Sequence, residues 1–167
     1  MAVYESIPYS DYGSSSTTNT PGLPEPGYVG GRVRSCMGNI LPTSAPVAGD
    51  IGYLFRIPSN ARILQLFIEM DDQGGATTTV DIGVYNAADL AIVDINLYGS
   101  ALDGATAFSR SDVRHETLNH NTMGQKIWQD LGLSADPNTI YVIAATWLVV
   151  ATGIAGDISF ACMYTVD

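Results

Sequence analysis

The residues of this chain that most resemble a reaction centre are His115, Glu116 and His120 in RHETLNH. Imidazoles hold a divalent metal and a carboxylate activates its water when HExxH places two histidines four apart on one helical face. Here they stand five apart, about 140° out of phase on a helix. The motif fails, and the chain holds no third histidine. A structural or solvated pair is the expectation. Asp71, Asp72 and Asp81 suggest oxygen ligands for calcium, but the spacing of an EF-hand loop is absent, and DDQGG reads as a solvated turn at a hairpin tip. GxSxG, GxxxxGK[ST] and CxxC are all missing, so nucleophilic, phosphate and dithiol chemistries have no signal. No catalytic, metal or cofactor residues are assigned, and the chain is expected not to be an enzyme.

Composition narrows the partners. The 167 residues carry 17 acidic against seven basic side chains, for a net charge of -10. A phosphate-binding surface needs clustered cations, so nucleic acid is not an expected ligand. Charged residues make up only 14% of the chain, well below the usual quarter, which points to surface covered by a partner. Cys36 and Cys162 both sit in apolar, strand-like segments. The opening MAVYESIPYS has neither a basic n-region nor an apolar h-region, so a disulfide between them is disfavoured.

The elements that would position any site are strands. Arg32 to Leu41, Ile51 to Ile57, Ala61 to Met70 and Thr77 to Tyr85 are rich in β-branched and aromatic residues and are bounded by turn residues. In the third of these, Ile63, Gln65, Phe67 and Glu69 should face one way and Leu64, Leu66, Ile68 and Met70 the other. Val80, Ile82 and Val84 make a matching dry face. PSNA, between Ile57 and Arg62, ends one strand and starts the next, and its flanking Arg56 and Arg62 are expected to pair with acids rather than bind a ligand. Pro137 to Gly156 is almost long enough to cross a membrane, but it reads as a strand buried on both faces, followed by a turn and an alternating strand from Ile158 to Val166. Two helical pieces are expected: a turn at Asp94 to Ser100, and Thr122 to Leu131, whose Met123, Ile127 and Leu131 share a face and which Gly132 stops. The second should plug an open end of the fold.

Residues 1–30 differ from the rest. They hold four prolines, four tyrosines and SSSTTNT, with no basic residue and no periodic apolar face. Such a segment cannot bury enough surface to fold alone. Tyr4, Ile7, Pro8, Tyr9, Tyr12, Leu23, Pro24 and Tyr28 are poor choices for a tail that meets only water, so an extended arm ordering on a neighbouring subunit is expected. Residues 31–167 then form one all-β domain, an antiparallel β-sandwich of jelly-roll or Greek-key type with one short helix.

The phrases GDIGYLFRIPSNARILQLFIEMDD, GGATTTVDIGVYNA, GQKIWQDLGL and DPNTIYVIAATW, taken in order, resemble small structural proteins encoded beside the major capsid protein of tailed bacteriophages. The resemblance runs from about Ala48 to Val166 and, with the composition, looks like a capsid decoration, or cement, protein. It implies a virion protein on the outer surface of the capsid, binding the major capsid protein and stabilising joints between capsomers. It implies no catalytic residues and leaves the arm unmatched. Low charge density and a strand buried on both faces argue for self-association, with a homotrimer favoured over a dimer. The competing reading is a receptor- or glycan-binding module of a tail or spike, for which Tyr53, Tyr85, Tyr98 and Trp147 are the candidate aromatics.

Overall fold

Alternating apolar residues on short β-branched segments must bury one face each, and here they do so by stacking two sheets. The computed structural model describes residues 3–5, 33–115, 124–149, 153 and 155–166. Its strands are β1 (Val3–Glu5), β2 (Arg34–Ile40), β3 (Ile51–Pro58), β4 (Ala61–Met70), β5 (Thr79–Asn86), β6 (Ile92–Asp103), β7 (Phe108–Asp112), β8 (Ile140–Trp147) and β9 (Ile158–Val166). A 3-10 turn at Val113–His115 and one helical turn, α1 (Ile127–Asp130), lie between β7 and β8. One sheet has the order β1-β3-β8-β5-β6 and the other β2-β9-β4-β7. Apart from the parallel β1 and β3, neighbours run antiparallel. Leaving β1 aside, eight strands wrap as two interleaved four-stranded sheets, which is a jelly roll.

The core lies between the sheets. Leu54, Phe55 and Ile57 of β3, Val80, Ile82 and Val84 of β5, and Ile143, Ala145 and Trp147 of β8 meet Leu66, Ile68 and Met70 of β4 and Ile158, Phe160 and Cys162 of β9. Phe55 stacks on Phe160 across the gap, with ring centroids 5.3 Å apart. β8 is buried on both faces as expected. On its far side Val142 and Ala144 join Ile51, Tyr53 and Tyr85 in a second, smaller core, where Tyr53 and Tyr85 meet edge to face and Tyr85 hydrogen-bonds Thr146 at 2.6 Å. That burial is satisfied within one chain.

Four expectations need correction. The alternation along β4 changes phase: the register slips at Leu64, so Ile63 is buried with Leu66 and Ile68 and does not share a face with Gln65. One extra residue in a strand reverses every side chain beyond it. Asp94 to Ser100 is not helical but lies in β6, whose pairing with β5 slips repeatedly. Asp94 does cap a local turn, accepting from the Asn96 N–H at 3.2 Å. The carbonyls of Asp94 and Ile95 press onto Gly83, where a side chain would collide with them. DDQGG is neither a hairpin tip nor solvated around Gln73: it carries the chain from one sheet to the other, and Gln73 is fully buried. Lastly, α1 spans only Ile127–Asp130, because Lys126 before it is extended; Thr122 and Met123 lie outside the described residues. Ile127 enters the core, and Gly132, at φ 69°, closes the turn through its N–H to the Gln129 carbonyl at 2.9 Å.

The PSNA connection is an inter-sheet corner, since β3 and β4 belong to different sheets. Ser59 knits it to its surroundings. Its hydroxyl donates to Asp136 at 2.5 Å and accepts from the Thr139 N–H at 3.1 Å, while its carbonyl accepts from Trp128. Arg62 donates to the Gly124 carbonyl.

Candidate interaction surface

Among the described residues, the groups that could do chemistry are capped, paired or buried. His115 ends the 3-10 turn, and Glu116 and His120 lie outside the described residues. Among the described residues no group of three His, Cys, Asp or Glu side chains is gathered to hold a metal. Asp72 caps its own turn, accepting from the Gly74 N–H at 2.7 Å. Asp71 shares a hydrogen bond with Asp157, and that bond, the Asp157 charge and nearby Glu69 raise its pKa. Asp81 is buried on the other sheet. Its carboxylate accepts from the Ala101 N–H at 2.6 Å, and burial raises its pKa despite that bond.

A buried ion pair closes the end that α1 plugs. Arg114 Nη2 meets the Asp130 carboxylate at 3.1 Å, with both side chains almost wholly removed from water. The Tyr98 hydroxyl donates to Asp130 at 3.3 Å, and the Arg114 guanidinium lies 5.5 Å from the centre of the Tyr98 ring. Burial pushes the Asp130 pKa up to about 6 against the pull of Arg114, and pushes Tyr98 well above the ordinary phenol range. The arrangement anchors the plug to β4, where Arg114 Nε also reaches the Ile63 carbonyl at 3.4 Å. The expected helical plug is therefore present, held by a pair that sequence periodicity does not signal.

The four aromatic candidates for a sugar platform are not on the surface. Tyr53, Tyr85, Tyr98 and Trp147 are all buried. Trp147 is instead locked by Gln73, whose side-chain carbonyl accepts the indole N–H at 3.2 Å while its amide donates to the carbonyls of Asp71 and Gly156. Gln73 was legible only as a turn residue. Its role depends on three loops that meet in space.

What remains open is the outer face of the four-stranded sheet. The register lays Met37, Ala161 and Phe67 in one row across β2, β9 and β4, and Asn39, Ser159 and Glu69 in the next. Small residues on β9 between larger ones on its neighbours make a shallow trough of about 400 Å³. Met37 is 68% exposed on one wall. On the other, the guanidinium of Arg110 lies 4.5 Å above the Phe67 ring. Val33 and Leu41, also exposed, flank β2 at its two ends. Such a surface combines an apolar floor, a flexible methionine and one cation, and it can bind another protein without reacting with it.

The arm is represented by β1. Its backbone adds to the edge of β3, pairing Val3 with Ile51, Tyr4 with Gly52 and Glu5 with Tyr53. Of the expected anchors, Tyr4 lies in this strand, whereas Ile7, Pro8, Tyr9, Tyr12, Leu23, Pro24 and Tyr28 fall outside the described residues.

No protein-family model matches the chain, and a search of curated proteins found no match. Solved structures do show the fold. The chain is similar to one in the capsid of Ralstonia phage GP4, with a TM-score of 0.62, 24% identity and 99% of each chain covered. It is also similar to one in the capsid asymmetric unit of cyanophage Pam1, with a TM-score of 0.51, 19% identity, and 92% of this chain and 97% of that one covered.

Proposed function

We propose that this chain is a structural protein of a tailed-phage particle, bound to the outside of the shell and stabilising the joints between capsomers. The observation that carries this reading is end-to-end likeness: the chain matches one in a phage capsid over 99% of both lengths. The net charge of -10 suits an exterior position, away from packaged DNA. Contact with the major capsid protein is assigned to the outer face of the four-stranded sheet, since the outer face of the other sheet already carries its own small core. Self-association, as a trimer before a dimer, rests on the low charge density and on exposed Val33 and Leu41. Beyond β1, which stays on its own chain's β3, the arm with Tyr9, Tyr12 and Tyr28 among its anchors ties neighbouring copies together.

The test is cosedimentation of purified protein with mature, expanded shells of the matching phage. Saturable binding to the shell exterior is expected. Failure to bind expanded shells would sink the proposal.

A further inference from the structure

Two thiols on different strands face each other at the edge of the four-stranded sheet. Cys36 of β2 stands directly opposite Cys162 of β9, inside an unbroken register that runs from Arg34 and Tyr164 to Ile40 and Ile158. Both are free; Cys162 is buried and Cys36 is half-buried. Opposed residues of an antiparallel ladder have Cα atoms about 4.5 or 5.5 Å apart, depending on the type of pair. Either value lies within the roughly 4.4–6.8 Å that a disulfide spans. The two thiols also hydrogen-bond each other. β2 is the outermost strand of its sheet, with β9 as its ladder partner. It can therefore shift slightly to bring the sulfurs together.

We propose that Cys36 and Cys162 form a latent cross-strand staple, a dithiol in a reducing compartment that a small-molecule disulfide closes once the surroundings become oxidising. The Cys36 thiolate attacks one sulfur of the oxidant, breaking its S–S bond and releasing one small thiol. Cys162 then gives its proton to solvent and attacks the Cys36 sulfur, expelling the second small thiol. Two protein thiols lose two electrons and two protons, and the oxidant gains them as two small thiols. The second step is the slow one, because burial, the bond to Cys36 and the charge of Asp112 all hold Cys162 protonated. The closed loop contains every strand from β3 to β8. Closing so long a loop restricts the unfolded chain strongly and fastens the edge strand that follows the arm.

The test uses full-length protein, reduced and then incubated with excess oxidised glutathione at about pH 8. The expected product is a monomeric disulfide, lighter than the dithiol by two hydrogens and giving a Cys36–Cys162 peptide on digestion. Its Tm should rise by roughly 5–15 °C and fall back on reduction, and closure should quicken with pH. Cys36→Ser, at a half-buried position, should fold and show no such rise. Four results would overturn the proposal: a lasting glutathione adduct on Cys36 with Cys162 still free, a disulfide between chains, closure only in denaturant, or a closed form that melts no higher.

Discussion

Asp130 meets Arg114 with both side chains withdrawn from water, yet burial outweighs that attraction and lifts its pKa from 3.8 to about 6. Between those values the folded chain holds a proton that the unfolded chain has released. Stability from this group is therefore fully present below the unfolded value of 3.8 and is lost as pH climbs to about 6, by less than about 3 kcal/mol once solvent screening is allowed for. Asp130→Asn keeps the shape and removes the titration, so its cost should be larger at about pH 4.5 than at about pH 7. Asp71 and Asp81 also have raised values, but they are present in both proteins and cancel. Urea unfolding at the two pH values measures the difference, and an equal cost at both would contradict the assignment. Gln73 gives a sharper expectation. Truncation to Ala removes the acceptor that Gln73 offers the Trp147 indole N–H and the amide that it offers the carbonyls of Asp71 and Gly156. A loss of about 2–4 kcal/mol is expected from denaturant melts, and a loss below about 1 kcal/mol would mean that water replaces the amide.

At the scale of elements the arm is the part whose removal should separate folding from assembly. β1 adds only three residues to the edge of β3, outside the eight strands that make the core. Deleting residues 2–28 should leave the sandwich folded, with nearly unchanged near-UV dichroism, while oligomer mass or shell binding falls. Equal mass and equal binding in the truncated and full-length proteins would reduce the arm to a tail. How well each element could be read follows from where its information lies. β4, β5, β8 and β9 announce themselves through local period and β-branched residues, and β4 begins and ends where expected. Asp94 to Ser100 reads as a helical turn with Asp94 before it as the cap, yet it lies within β6. Its shape is set by the slipped pairing with β5, the strand before it, and by carbonyls that need the bare backbone of Gly83, neither of which leaves a local period. β7, with FSRSD, carries almost no apolar signal and exists because β4 offers it an edge. The bulge at Leu64 is likewise invisible, because Ile63 and Leu64 are adjacent and both apolar, so either can take the buried side. For the candidate surface, Met37 and Phe67 are thirty positions apart, and only the register with β9 brings them into one row.

For the whole molecule the question is which face meets the shell. Both sheets have an outer side, but that of the five-stranded sheet carries Ile51, Tyr53, Tyr85, Val142 and Ala144 already buried. Placing the four-stranded sheet against the shell buries the trough around Ala161 and brings Met37 and the Arg110–Phe67 stack into the contact. Desolvated anchors of this kind dominate binding, whereas rim residues contribute little. Met37→Lys puts a charge on an exposed side chain, so the fold should keep its melting temperature. Binding to expanded shells should weaken about tenfold or more, the loss of one central anchor. Val93→Lys places the same charge on exposed β6 of the opposite sheet and should leave binding unchanged. The pair is read by cosedimentation at fixed salt, because a net charge of -10 makes long-range terms depend on ionic strength. Were Val93→Lys to abolish binding while Met37→Lys did not, the five-stranded sheet would be the shell-facing side, and the trough would be left to contacts between copies of this chain.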